Sequence, residues 1–384
     1  MTRKLFYEDC NLRTFTAAVT GCAETPKGFE ITLDATAFYP EGGGQACDLG
    51  TLGITAVLDV QERGEEVIHL CDAPLAVGSR VEGSIDWERR FDLMQQHTGE
   101  HILSGLIHET FGYHNVGFHM GTGLMEVDFD GPITWEQMME LEQKANAIVW
   151  ENRPISCGYP TPEALQTLPY RSKKALSYPV RIVEVPGTDL CACCGVHVVS
   201  TGQVGIIKVF SVTKFHSGVR LQMACGRRAY EQLSAICEQN RQVSRIFSAK
   251  PHETGAAAQR TAEALAAEKF RAAGLRKRLF AAAAEQCAGR RDVVWFEEEL
   301  DGTGIRELAE KIAGACEGYA AVFSGSDGRY NYCLACPGGD LRSLCRELNT
   351  ALNGRGGGKP AFQQGSLTAD REQIEAFFAC RNQG

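Results

Sequence analysis

The chain has 384 residues, 44% hydrophobic and 23% charged, with a net charge of −9. That length exceeds one ordinary core and predicts two to four domains of a soluble globular protein. The acidic balance argues against nucleic-acid binding through bulk charge, though not against a local basic patch, and no apolar run reaches the ~18 residues of a membrane span.

Sixteen cysteines are many. Met1-Thr2-Arg3-Lys4-Leu5 runs into polar residues without an apolar signal segment. The thiols therefore read as reduced, in a cytoplasmic protein, some buried and one or more on metal.

Residues 1–87 are expected to be mostly β. Phe29-Glu30-Ile31-Thr32-Leu33 and Ile54-Thr55-Ala56-Val57-Leu58 alternate as half-buried strands do. Between them lies Thr36-Ala37-Phe38-Tyr39-Pro40-Glu41-Gly42-Gly43-Gly44-Gln45. Three glycines in a row permit positive φ and a close backbone approach to a ligand; on glycine alone, a tight connection at a barrel rim is the simpler account. A short strand-rich segment with glycine turns suggests a small barrel.

Residues 88–225 form the next unit. Phe91, Met94, Ile102, Leu106 and Phe111 recur at helical spacing from about Glu88 to Phe111. His97 and His101 are four apart, so they share one face of that helix and can hold one metal ion. Val116–Met120 and Leu124–Phe129 read as strands. Thr134, with Gln137 as capping-box partner, opens a helix from Trp135 to about Glu151, which ends before Pro154. The strand Val180–Val185 leads to Cys191-Ala192-Cys193-Cys194-Gly195-Val196-His197, and strands at Val204–Phe210 and Val219–Met223 complete an α+β layer.

From about Gly226 to residue 290 the pattern is helical, broken at Pro251, and suggests an αα-hairpin arm. Its basic residues (Arg260, Lys269, Arg271, Arg276, Lys277, Arg278) could face RNA, although such a run is more often a solvated face. Residues 291–384 alternate strand and helix as a small α/β domain. Its Gly354-Arg355-Gly356-Gly357-Gly358-Lys359 stretch reads as a loop that could bind phosphate through backbone N–H groups and two cations. It lacks the order of a P-loop, which argues against ATP binding and nucleotide hydrolysis.

Two helical histidines with a cysteine and a histidine from a turn form a ligand set that zinc prefers. His108 is about 10 Å along the axis from His101, too far to share a tetrahedral ion with both helical histidines. His114 and His119 rank below the turn. Within the turn, Cys193 and His197 bracket Gly195, with Cys191 and Cys194 as substitutes. Cys333 and Cys336, three apart, would point to opposite faces of a strand, and read as buried thiols. A rival is the H-x-x-E-H pattern of inverted zinc proteases, with Glu100 as base. It needs a third carboxylate ligand and leaves the Cys193–His197 turn unexplained.

With the HxxxH helix, the Cys193-Cys194-Gly195-Val196-His197 turn and the Phe38–Gln45 loop taken together, the chain resembles the freestanding alanyl-tRNA editing proteins of the long AlaX type. The resemblance covers nearly the whole chain. It implies an α+β fold with four parts: a glycine-rich barrel (1–87), a zinc-dependent editing domain (88–225), a helical hairpin arm (226–290) and a DHH-associated α/β domain (291–384). It implies one Zn2+ on His97, His101, Cys193 and His197. Val196 departs from the family, which often has threonine there.

Because the sequence starts at Met1 directly in the barrel, with no aminoacylation region ahead of it, the expected activity is editing in trans: ester hydrolysis of Ser-tRNA-Ala, and possibly Gly-tRNA-Ala. Glu100 and His101 are the candidate catalytic groups. Thr36, Gly42, Gly43, Gly44 and Gln45 are candidates for substrate binding, with Thr36 and Gln45 reading the serine hydroxyl. Arg355 and Lys359 are candidates for tRNA contact. A homodimer through the C-terminal domain is open. The alternatives are the HxxEH protease and a tRNA-binding module whose zinc is structural.

Overall fold

The computed structural model describes residues 1–172, 178–326 and 328–381. The fold is mixed α+β and divides into two compact units, Met1–Gln242 and Val243–Gly384.

In the first unit, six strands pair in the order Thr14–Thr25, Gly28–Leu33, Glu66–Cys71, Thr55–Arg63, Gly50–Leu52 and Arg80–Ile85, and the last closes on the first. Alternation drives this closure. Along Arg80–Ile85, Val81, Gly83 and Ile85 turn inward while Arg80, Glu82 and Ser84 face water. The inward set, with Phe15, Val19, Ile31, Leu33, Phe38, Leu52, Val60 and Val67, forms one core.

Asp86 follows the last barrel strand directly and caps the next helix, its carboxylate accepting from the Arg89 N–H. This helix, Trp87–Phe111, ends at Gly112, whose φ of 73° supplies the left-handed cap. Arg90 on its first turn is fully buried. Its Nε donates to Asp48 at 2.9 Å, and its other nitrogens reach the carbonyls of Cys10 and Ala37. The start of the helix is thereby pinned to the barrel.

The helix is buried almost continuously from Leu93 to Ile107. Two glycines let other chains come close. A Cβ at Gly99 would overlap the Cys225 sulfur, and one at Gly105 the Thr188 carbonyl. Against it lies a four-stranded sheet ordered Ile207–Phe215, Gly218–Cys225, Met125–Phe129, Asn115–His119. The helix Trp135–Glu151 opens with the expected capping box of Thr134 and Gln137. A three-stranded sheet of Ser156–Gly158, Ile182–Val185 and Asp189–Ala192 leads into the Cys/His turn. The helix Gly226–Phe247 then carries the chain into the second unit.

The second unit holds the helix Thr254–Gln286 and a five-stranded sheet ordered Arg291–Glu297, Glu317–Ser326, Arg329–Ala335, Phe362–Leu367, Arg355–Lys359. The last strand corrects the sequence reading. The stretch from Arg355 to Lys359 is not a phosphate-cradling loop but an exposed edge strand, paired antiparallel with Phe362–Leu367. Glycine is needed there for packing. The Tyr332 hydroxyl lies where a Cβ at Gly356 or Gly365 would sit, and it donates to Asn349 Oδ1 at 2.8 Å. Cys333 is buried in its strand, while Cys336 falls beyond the strand's end. The basic residues Arg260, Lys269, Arg271 and Arg278 lie on exposed helix surface. Among the described residues, no helix is long and apolar enough to cross a membrane.

Candidate metal centre

The His97–His101 pair of the buried helix meets the Cys193–His197 turn. One ligand atom from each of His97, His101, Cys193 and His197 lies within 4.8 Å of all the others. Cys193 Sγ is 3.4 Å from His97 Nε2. With metal–nitrogen bonds of about 2.0 Å and a metal–sulfur bond of about 2.3 Å, a tetrahedral site places such atoms roughly 3.5 Å apart. The pair therefore fits one edge of a tetrahedron.

Partners behind the imidazoles fix which nitrogen faces the centre. Gln45 Oε1 accepts from the Val196 N–H at 3.2 Å, which orients the amide. The same oxygen lies 2.9 Å from His97 Nδ1. A carbonyl oxygen only accepts, so His97 carries its proton on Nδ1 and offers an Nε2 lone pair to the centre. Asp189 Oδ2 does the same for His101, 2.9 Å from its Nδ1, and Arg171 Nε steadies the carboxylate at 2.7 Å. Thr98 Oγ1 lies 3.2 Å from His197 Nδ1 and accepts from the Val198 N–H. Among the described residues, the buried His197 Nε2 has no hydrogen-bond partner. A buried nitrogen left bare is costly, and a metal ion would satisfy it.

The electrostatics agree. Burial pushes the Cys193 thiol up, but the facing His97 and His101 outweigh it and hold the pKa well below its ordinary value. Burial first, then the neighbouring His97, brings His197 down to about 3, so it is neutral. Burial works against charge on His101, yet Cys193 and Asp189 carry its pKa well above normal. A thiolate and neutral imidazoles are the forms that bind metal, so His101 would give up its proton to hold an ion. Cys191 stays a thiol, pushed up to about 11 by burial. Cys194 is exposed. Of the three cysteines in the turn, Cys193 is the one that joins all three imidazoles.

Gly42, Gly43, Gly44 and Gln45 form a tight two-residue turn in which Gly42 and Gln45 exchange backbone hydrogen bonds of 2.9 and 3.0 Å. Gly43 and Gly44 have φ of 60° and 82°, the signs of a type I′ turn. A Cβ at Gly43 would lie 3.0 Å from Cys194 Sγ, and one at Gly44 2.5 Å from the Phe118 ring. The turn therefore packs directly on the ligand turn.

Two candidates fall elsewhere. The Thr36 hydroxyl is fully buried against barrel residues, 2.8 Å from His69 Nε2 and 3.1 Å from the Phe38 N–H. It is committed to the barrel and does not reach the centre. Glu100 is buried, but its Oε1 accepts from Ser104 Oγ at 2.6 Å and from the Asn115 amide, and it does not converge with the four donors. A base role would require it to leave those partners. Among the described residues, the four-donor group holds no carboxylate of the kind a protease of the HxxEH type needs as a ligand, and Asp189 Oδ2 faces His101 Nδ1. Arg355 and Lys359 lie in the second unit, exposed on the edge strand.

Sequence reasoning missed Asp189, Arg171 and Thr98. Two of these left a trace. Asp189, Cys191 and Cys193 recur at period two, the mark of one strand face, and Thr98 adjoins His97.

Comparison with known sequences adds the following. Residues 4–89 match the family described as tRNA synthetases class II (A), and residues 180–221 match the threonyl and alanyl tRNA synthetase second additional domain. An alanine–tRNA ligase of Ignicoccus hospitalis is 32% identical over 93% of this chain and 40% of its own length. The alanyl-tRNA editing protein Aarsd1 of Mus musculus is 33% identical over 55% of this chain and 55% of its own. The chain thus spans well under two thirds of either relative. The C-Ala domain of the Aquifex aeolicus alanyl-tRNA synthetase aligns with 23% of this chain and 90% of its own, at 19% identity and a TM-score of 0.21, too low to bear on the fold.

Proposed function

The chain is a relative of the alanyl-tRNA synthetases and the alanyl-tRNA editing proteins, and on that footing we propose that it is a zinc-dependent deacylase acting in trans on mischarged tRNA-Ala. The observation that carries this reading is the convergence of His97, His101, Cys193 and His197 beside the glycine turn. In this reading residues 1–87, 88–225, 226–290 and 291–384 serve as barrel, editing domain, arm and DHH-associated domain.

Three imidazoles and one thiolate are a tetrahedral zinc donor set. When bound, the ion would polarise the ester carbonyl or lower the pKa of a water only where one of the four ligands yields its place, and would otherwise position the substrate. The chain's own residues do the rest. Gln45, Asp189 and Thr98 hold the three rings so that their Nε2 atoms meet, the outer support on which such sites depend. The exposed Gly43–Gly44 tip gives a substrate access to backbone beside the ligand turn.

Discrimination of serine from alanine needs a donor or acceptor for the extra hydroxyl, and a site built round that bond rejects the analogue lacking it. Gln45 suits this role. Its Oε1 is used by His97 and Val196, while its buried Nε2 has no acceptor among the described residues and is left for a substrate oxygen. Arg355 and Lys359 are proposed tRNA contacts, with salt-sensitive binding. A homodimer through 291–384 would use the same sheet's free edge.

Release of amino acid from Ser-, Gly- and Ala-charged tRNA-Ala, measured side by side, tests the proposal. It expects serine release, with Ala-tRNA-Ala spared. Tight tRNA binding with every ester intact would instead leave a binding module with structural zinc.

A further inference from the structure

One ring at the rim of the centre has no role so far. Tyr159 follows the strand Ser156–Gly158 and is 53% exposed. Its ring meets Tyr7 edge to face, centroids 6.5 Å apart and planes at 76°. Tyr7 is braced in turn: the Arg181 guanidinium lies 4.6 Å from its ring centre, and its hydroxyl donates to the Cys194 carbonyl at 2.7 Å. Arg181 donates to the carbonyls of Cys193 and Gly195 at 3.0 and 2.8 Å. A continuous ladder therefore runs from the backbone of the ligand turn, through Arg181 and Tyr7, to an exposed aromatic ring. The other rings against the centre are already engaged. Tyr39 is 1% exposed, and Phe118 packs on His97 and Gly44.

We propose that Tyr159 is the stacking platform for the 3′-terminal adenine of the tRNA, a specificity residue of the deacylase reading given above. The chemistry matches the position. In an aminoacyl-tRNA the ester sits on the last ribose, so with the ester at the ligand turn the terminal base is one sugar away, and Tyr7 links that turn to Tyr159. A base split out of a helix is recognised by stacking on an aromatic face, and the Tyr7–Arg181 brace holds the platform rigid without covering it. An acidic chain gains here an attraction for RNA that does not depend on net charge.

The test is equilibrium binding of a non-hydrolysable probe, 3′-serylamino-3′-deoxyadenosine, against the same compound lacking its base, to the full-length zinc-loaded protein. The proposal expects the base to tighten binding by about 5- to 150-fold, the range of one base–aromatic stack. Tyr159→Ala should abolish that preference and Tyr159→Phe keep it, with zinc content unchanged in both. A wild-type protein indifferent to the base, or a preference that survives in Tyr159→Ala, overturns the proposal. A protein that prefers the adenine probe yet leaves seryl esters intact upholds the platform and overturns the deacylase reading instead.

Discussion

Gln45 Oε1 lies 2.9 Å from His97 Nδ1, so the last residue of the glycine turn sets the tautomer of the first histidine of the metal helix. The two residues are 52 apart in sequence. The glycine turn and the metal centre are thereby one device: the turn places the amide, and the amide aims the ring.

Replacing Gln45 by Leu removes the acceptor from both His97 Nδ1–H and the Val196 N–H. Loss of such an outer partner costs about 10- to 100-fold in metal affinity. Chelator competition on the purified variant should show a drop of that size with the fold intact by circular dichroism. Unchanged affinity would mean that His97 is oriented by something else.

Gly44→Ala carries two penalties, a φ of 82° and a new Cβ 2.5 Å from Phe118. Left-handed backbone at a non-glycine residue costs about 1–3 kcal/mol, and the clash adds to it. Gly123→Ala is the control, since a Cβ there meets nothing within 4 Å. Urea titrations should separate the two, with the control within about 0.5 kcal/mol of wild type.

The buried Arg90–Asp48 pair makes a sharper prediction. Arg90→Met leaves the Asp48 carboxylate in the interior with the Tyr39 N–H as its remaining donor. Stranding one member of a buried pair costs about 3–5 kcal/mol. Chemical denaturation should register this as a lower midpoint, and a loss under 1 kcal/mol would show the pair to be dispensable.

His69 sets an acid limit. Burial among barrel residues lowers its pKa to about 4 from an ordinary 6.5, so the folded chain keeps it neutral while the unfolded chain takes up a proton. The unfolded state binds more protons between those values, so stability rises with pH there. The contribution is complete above about pH 6.5 and is lost as pH falls towards 4, a change of about 3 kcal/mol. His69→Gln should flatten this part of the stability–pH curve, read from thermal midpoints between pH 4 and 7. A variant curve parallel to wild type would contradict the assignment.

Much of this was legible in the sequence, for identifiable reasons. The His97–His101 helix announced itself by period, and the Thr134–Gln137 box by its capping residues. What failed was local reading of residues with two uses. Glycines at Gly356–Gly358 look like a loop because glycine usually marks one, yet they pair as an edge strand, and the Tyr332 hydroxyl leaves no room for a side chain at Gly356. Thr36 stands close to the glycine turn in sequence, but strand pairing turns it towards His69. Glu100 lies beside a ligand in the helix and points to Ser104 and Asn115. Helical spacing places neighbours of a ligand on a helix, but not which cavity their side chains enter.

X-ray absorption at the zinc edge of the zinc-loaded protein tests the central claim most directly. The account predicts one zinc per chain with one sulfur at about 2.3 Å and three nitrogens at about 2.0 Å, and loss of the sulfur shell in Cys193→Ser. A site with no sulfur scatterer, or an unchanged sulfur shell in Cys193→Ser, would contradict it.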